Sequence, residues 1–455
     1  MAYTEFFCTK GASASDLNGG GPRLGTNDAP IYTTANATVA GGALTTVVDN
    51  TANNWAGVLV DDFLCWDTGG VKEIRRVSAL APGGDATKIT IASAATAGAN
   101  KTCNVGGAFA TVDFAASTIT SGTTNAAGNY PRCNIKVGTY NEQVTIDNSG
   151  FYLIVYEGYE TTPGDNCPSG TLPLLSSSST AVAAGIYGAN KNYQWIKNLR
   201  IVMSGAAIDG IRGNFNYSLF ENIQIVATGN GYYNVGYSSC FNMTVESCGG
   251  EGFWTDSHFM WHCVSLGSGS WGFRSGSSGT MTCIGCISAN SQYSNFLIGG
   301  QVNSMLGCIG YGSVTGSGAQ VNYGSWGAFV KNCIFVGNAT LGLDFNYAGM
   351  SGVEDFNAYY GNGTNETNNA LPNYTNAVHP GPHSVTLTGD PFVNAAGGNF
   401  ALNATAGAGA ACRNAGFPGT LRDGVNVGYS DIGALRHQDA GGSSVYIPLG
   451  GFIVR

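Results

Sequence analysis

Ile196-Lys-Asn-Leu-Arg-Ile201, Phe220-Glu-Asn-Ile-Gln-Ile225 and Cys240-Phe-Asn-Met-Thr-Val245 share one pattern: apolar, any residue, Asn, apolar, any residue, apolar or small. Further copies read Met260-Trp-His-Cys-Val-Ser265, Cys283-Ile-Gly-Cys-Ile-Ser288, Met305-Leu-Gly-Cys-Ile-Gly310, Val330-Lys-Asn-Cys-Ile-Phe335 and Val353-Glu-Asp-Phe-Asn-Ala358. Their fourth positions (Leu199, Ile223, Met243, Cys263, Cys286, Cys308, Cys333, Phe356) step by 24, 20, 20, 23, 22, 25 and 23 residues. A period of about 22 residues with a short strand in each unit marks a solenoid, in which every unit packs only on its neighbours.

The fourth and sixth positions alternate with the residue between them, the period of a strand. The first position is also apolar but lies three residues earlier, so both face inward only if a bend separates them. Asn198, Asn222, Asn242 and Asn332, with Asp355 and glycines in other copies, supply residues that tolerate left-handed backbone. A second strand recurs at Ile211, Tyr232, Phe253, Phe273, Phe296, Ala319 and Leu343. Two parallel strand rows, a tight bend and one looser turn per unit describe an all-β, right-handed parallel β-helix climbing about 4.8 Å per coil. A leucine-rich horseshoe would need a leucine-dense consensus, which is absent.

Charged residues make up 10% of the chain against an ordinary share of roughly 25%. The surface is therefore expected to be Asn, Ser, Thr and Gly. The net charge of −9 is thinly spread and no basic cluster occurs, which argues against a nucleic-acid partner. The start, Met1-Ala-Tyr-Thr-Glu-Phe-Phe-Cys8, has no basic segment followed by an apolar one, so no Sec-type signal is read there. No apolar run is long enough to span a membrane. Of 13 cysteines, Cys263, Cys286, Cys308 and Cys333 fall on the inward ladder and are read as reduced core thiols.

Residues 1–110 lack the repeat. Val58-Leu-Val-Asp-Asp-Phe-Leu-Cys-Trp66, Val71-Lys-Glu-Ile-Arg-Arg-Val77 and Lys88-Ile-Thr-Ile91 mark a small β-rich domain. Gly106–Ala115 has the spacing of a short amphipathic helix, and residues 111–130 are assigned to a cap on the open solenoid end. The β-helix is expected over 131–437. The tail, 438–455, contains apolar Val445-Tyr-Ile-Pro-Leu-Gly-Gly-Phe-Ile-Val454, which wants either its own chain or a neighbouring subunit to pack on.

Asn134-Ile-Lys-Val-Gly-Thr-Tyr-Asn-Glu-Gln-Val-Thr-Ile146 and Phe151-Tyr-Leu-Ile-Val-Tyr-Glu-Gly-Tyr159 resemble the opening coils of right-handed β-helix proteins of the pectate-lyase-like superfamily. Gly389-Asp-Pro-Phe-Val393, Asn399-Phe-Ala-Leu402, Asn414-Ala-Gly416 and Asp431-Ile-Gly-Ala434 are similar to the closing segment of such repeats. The resemblance spans about residues 130–437. It implies a fold and not an activity, since that superfamily holds lyases, hydrolases, phage tailspikes and plain structural stalks. The Asn-Thr-Asp and Gly-His-Gly motifs of polygalacturonase-like members are missing, so no catalytic residues carry over.

The Cys283-x-x-Cys286 pair straddles the bend on inward rows, and no second CxxC accompanies it, so it reads as structural. His258 and His262, four apart on a strand, are about 13 Å apart, too far for one ion. His379 and His383 share a Pro/Gly loop and could meet at a metal; no metal or other cofactor is assigned. Adjacent Asp61 and Asp62 read as surface carboxylates. The outward row beside the second strand is Arg212, Tyr233, Trp254, Arg274, Leu297, Gln320 and Asp344. Aromatics flanked by arginine make Arg212, Tyr233, Trp254 and Arg274 candidates for glycan binding. Asp256 and Glu251 are the acids to test for catalysis, but no spacing joins them into the pair that glycoside hydrolysis needs. The leading expectation is a non-enzymatic structural protein of a virion or other extracellular assembly. Its partners would be copies of itself or other subunits, joined through the β-helix and the terminal segments. The alternative is a tailspike-like glycan binder or depolymerase acting on a cell-surface polysaccharide.

Overall fold

The computed structural model describes residues 3–434 apart from 21–28, 41–44, 120–129, 148–152, 323–326, 346–351, 369–380, 418–430 and some single or paired positions. It divides into two units, residues 1–177 with 185–200 and residues 178–184 with 201–455.

In the first unit six antiparallel strands close a barrel in the order Tyr32–Val39, Thr46–Asp49, Lys88–Ile91, Val71–Leu80, Phe63–Thr68, Gly98–Val105. Alternation on these strands turns Val39, Val47, Leu64, Trp66, Val77, Ile89 and Val105 into one core. Asp49, buried at the barrel wall, accepts the hydroxyls of Tyr32, Thr34 and Thr51, which satisfies its charge without a cation. Residues 3–8 are not a barrel strand, although Phe6 packs on Phe63 at 4.8 Å. The strand Tyr3–Cys8 pairs in parallel with Tyr130–Lys136, which pairs with Ile154–Tyr159 and then with Gln194–Met203, aligning Phe6, Cys133, Tyr156 and Ile196. Cys8 and Cys133 bring their sulfurs to 3.4 Å, but Cys8 is registered on Ile135. That diagonal sets their Cα atoms roughly 8 Å apart, beyond the reach of an unstrained disulfide. A helix, Val112–Thr118, follows the barrel; Thr111 caps it, Glu142 accepts the N–H groups of Val112 and Asp113, and Asp16 accepts those of Ala110 and Thr111 just before it.

The second unit is the right-handed parallel β-helix. Each coil carries three ladders rather than the two strand rows read from the sequence, because the bend splits the repeat into two separate strands. Ladder A stacks Ile211, Tyr232, Phe253, Phe273, Phe296, Ala319 and Leu343 inward. Phe253, Phe273 and Phe296 lie face to face at 4.7 and 4.9 Å. The residue before each is glycine in every coil but one: Gly210, Gly231, Gly252, Gly272, Gly318 and Gly342, with Asn295 the exception. A Cβ on Gly272 would sit 1.8 Å from Ser288 Oγ and 2.6 Å from the Asn295 carbonyl, so the row records close approach of successive coils. Ladder B stacks Phe220, Cys240, Met260, Cys283, Met305 and Val330, and ladder C begins past the bend.

Positive φ at Asn198, Asn222, Asn242, His262, Gly285, Gly307 and Asn332 places the bend at the third position of seven successive copies, His262 included. The cysteines behind it are free and buried, and they do more than fill space. Cys263, Cys286, Cys308 and Cys333 point their thiols at the carbonyls of Cys240, Met260, Cys283 and Met305, 3.4–3.7 Å away, which are ladder B residues of an earlier coil. A thiol thus answers an acceptor beside the bend where an aliphatic side chain would not.

The eighth copy is displaced by one residue from the sequence reading. Val330 is registered on Glu354 and Ile334 on Ala358, and the left-handed residue is Phe356 instead of Asp355. Glu354 and Asn357 therefore occupy the inward places assigned to Val353 and Phe356, while Val353 faces out.

Ladder C is covered on its outer face. From the fourth copy onward the fifth position is apolar, and Val264, Ile287, Ile309, Ile334 and Ala358 form one core with Leu387, Phe392, Phe400, Leu402 and Ile432. The hairpin Phe392–Asn394/Asn399–Leu402 and the short helix Gly409–Cys412 lie along the side of the coils instead of adding coils to the stack. Val385 and Leu387 bond the carbonyls of Asn357 and Tyr359, and Gly433 bonds that of Asn332.

Candidate functional site

With ladder C covered by its own chain, ladders A and B are the outward faces left to act. On ladder A, alternation turns Arg212, Tyr233, Trp254, Arg274, Leu297, Gln320 and Asp344 outward in one unbroken register. The first four form a connected strip. The Arg212 guanidinium lies 5.2 Å from the Tyr233 ring centre, Tyr233 meets Trp254 edge-on at 4.5 Å, and Arg274 lies 4.4 Å from Trp254. Arg274 is also 4.7 Å from Trp271, which packs on Tyr293 at 5.0 Å. Trp271 and Tyr293 were not singled out from the sequence. They precede the ladder A residue by two and three positions, in the looser turn, where no strand period applies.

Two acids fix the arginines. Glu251 Oε1 accepts from Arg274 at 2.7 Å, and Asp209 from Arg212 at 3.4 Å. Burial, offset by the Asn230 N–H and by Arg212, holds the Asp209 carboxyl above its ordinary value. Asp256 lies beyond Trp254, beside Gly276, where an added Cβ would fall 1.7 Å from its Oδ1; burial raises its pKa too. Glu251 is thus engaged with Arg274 before the strand, and Asp256, on the strand Phe253–Trp261 itself, faces Gly276 of the next coil. The structure does not join them into a carboxylate pair.

Among the described residues no group of three His, Cys, Asp or Glu could hold a metal ion. His258 is inside the coil, its Nε2 3.1 Å from both the Tyr232 hydroxyl and Asn234 Nδ2, and burial lowers its pKa to about 3. His262 is at the bend against Trp261. His383 pairs with Asp355 at 2.9 Å, and His379 lies outside the described residues. Asp61 pairs with Arg76, but Asp62 is buried and accepts the Leu59 N–H at 2.7 Å, so it is a turn cap and not the surface carboxylate read from the sequence.

Ladder B has a different outer face. One register runs Leu219, Ser239, Phe259, Thr282, Ser304, Phe329, Val353 and the next runs Glu221, Phe241, Trp261, Ile284, Leu306, Lys331, Asp355. Phe259 packs on Phe241 and Trp261 at 5.8 and 5.9 Å, and Phe329 is 45% exposed. Tyr217 and Tyr237, stacked at 6.4 Å, extend it at the corner. Over six coil steps this face is roughly 29 Å long. Among the described residues no helix is long and apolar enough to cross a membrane.

No protein-family model matches the chain, and no curated protein does. Among solved structures it is similar to pectate lyase Pel9A, at 13% identity over 73% of this chain and 92% of that one with a TM-score of 0.45. It is similar also to ORF18 of Geobacillus virus E2, at 14% identity over 59% and 56% with a TM-score of 0.37. A third is the tailspike protein gp49 from Pseudomonas phage LKA1, at 13% identity over 79% and 67% with a TM-score of 0.19. The chain is a right-handed parallel β-helix repeat protein, and these likenesses assign it no activity.

Proposed function

We propose that the protein is a non-enzymatic building block of a virion or other extracellular assembly, and that it self-associates through the outer face of ladder B. One observation carries this reading. Ladder C, apolar outside from Val264 onward, is covered by the chain's own residues 385–417 and 431–434, whereas ladder B, which also carries aromatic and aliphatic residues outside, has Phe329 and Val353 exposed to solvent. An apolar strip across successive coils favours burial against another surface, and so little charge leaves few like-charge contacts to oppose it. The terminal segment 438–455, expected to share in the docking, lies outside the described residues. Sedimentation equilibrium tests the reading. A mass that is a small multiple of 46.9 kDa supports it, and a monomer at every concentration removes it.

A second reading is favoured by the ladder A strip, where Trp254 and Tyr233 are held at fixed tilt and Arg274 is braced between two indoles and Glu251. Such a surface suits a polysaccharide, apolar sugar faces on rings and hydroxyls on guanidinium and carboxylate. In an assembly, ladder A would carry this contact while ladder B is buried. Trp254→Ala should weaken binding to an exopolysaccharide about tenfold, measured by calorimetry. Unchanged affinity would exclude the strip, and cleavage that survived Asp256→Asn would exclude Asp256 as its acid.

A further inference from the structure

The one-residue displacement of the eighth copy changes what fills the coil. Where earlier coils hold Val330 and Leu343, the last holds Glu354, 1% exposed, and Glu366, registered on Leu343. Asn357 and Tyr359 complete this inward layer. Glu354 Oε2 accepts Asn357 Nδ2 at 2.6 Å, Ser384 Oγ at 3.1 Å and the Tyr359 hydroxyl at 3.5 Å, while Oε1 accepts the Gly381 N–H. The Glu366 carboxyl, at the ladder A place above Leu343, is coupled to that of Glu354. Two coupled carboxyl groups resist being charged together, which favours a proton within the pair.

We propose that the Glu354–Glu366 pair is a proton-loaded clasp that holds residues 381–387 on the end of the coil and releases them when the proton leaves. The inner contacts that seat this segment run through Glu354 and its neighbours, while on the outer side His383 pairs with Asp355 and stacks on Phe356 at 4.4 Å and Thr386 meets Asn365. Gly381 and Ser384 bond Glu354; Ser384 Oγ also accepts the Asn357 N–H at 3.2 Å; Val385 and Leu387 bond the next strand. Leu387 in turn enters the core that fastens residues 385–417 and 431–434 to ladder C. Opening the clasp therefore loosens the cover where it begins.

The groups that face the pair are Tyr359 on the adjacent strand and the Cys333 thiol one coil below, both held protonated by burial. Asp355 and His383 form their own ion pair on the outer side of the strand, and no lysine or arginine among the described residues bears on Glu366. Burial first, then Glu354, pushes the Glu366 carboxyl up to about 8 from 4.5. The folded chain thus holds a proton that the unfolded chain releases near 4.5. The stability this contributes is whole below that value, declines as pH rises, and is lost through about 8.

Hydrogen exchange on the intact protein, corrected for intrinsic rates, tests this from about pH 6 to about pH 9. Peptides covering 352–368 and 381–387 should lose protection about tenfold across a transition near 8, and in Glu366→Gln they should keep it. Coincident profiles for wild type and E366Q would overturn the clasp. Infrared spectroscopy gives a second reading that needs no comparison of stabilities: at neutral pH a protonated carboxyl band should be present and vanish in E366Q, and its absence from the wild type would overturn the shared proton.

Discussion

Phe273→Ala should lower the free energy of unfolding of the β-helix unit by about 3–5 kcal/mol. Phe273 is fully buried, and its ring is stacked between Phe253 at 4.7 Å and Phe296 at 4.9 Å, nearly parallel to both. Truncation removes the ring's burial and leaves a hole that neighbours fixed by strand pairing on both sides cannot close. The glycine row adjoining ladder A already holds the coils at minimum separation, which limits relaxation further. Leu297→Ala, next to Phe296 but facing outward, should cost less than about 1 kcal/mol. Denaturant titration followed by the fluorescence of Trp254 and Trp271 reads both variants. Equal losses would mean that the two residues do not face opposite sides of ladder A.

Trp261→Glu combined with Phe329→Glu should disperse the assembly and leave each chain folded. Both residues lie on the outer face of ladder B, in its two adjacent registers and three coils apart, so together they charge both halves of the strip. Burying a carboxylate where an aromatic ring packed forfeits roughly 2 kcal/mol or more at each site. At about 4 kcal/mol per contact, association weakens roughly a thousandfold. Since neither side chain enters the coil, circular dichroism and the unfolding midpoint should stay near wild type. Particles that persist in the double variant would show that another surface holds them together.

The sequence was legible where one residue type repeats in one place. Asparagine at the bend, phenylalanine on ladder A and the outward row from Arg212 to Asp344 all sit in the register their spacing implies. It was less legible where the same chemistry serves two geometries. Val353 and Phe356 satisfy the pattern by class, yet in the last coil the chain slips by one, and a buried glutamate is the last thing an apolar template looks for. Cysteine at the fourth position passes for a small hydrophobe until its carbonyl partner is seen. The covered face of ladder C did leave a trace, the apolar fifth positions from Val264 onward, but a strand apolar on both sides does not say what lies over it. Spacing along the chain also misses turns, which is why Trp271 and Tyr293 join the ladder A strip only in three dimensions.

Ladder B is the face through which copies of this chain are expected to meet. Electron cryo-microscopy of the purified particle, at a resolution that places aromatic side chains, tests it most directly. The expected map buries Phe259, Trp261 and Phe329 between subunits and leaves Tyr233, Trp254 and Arg274 on the outside. A map in which ladder B faces solvent while other surfaces make the contacts would contradict the claim, as would a sample holding isolated chains alone.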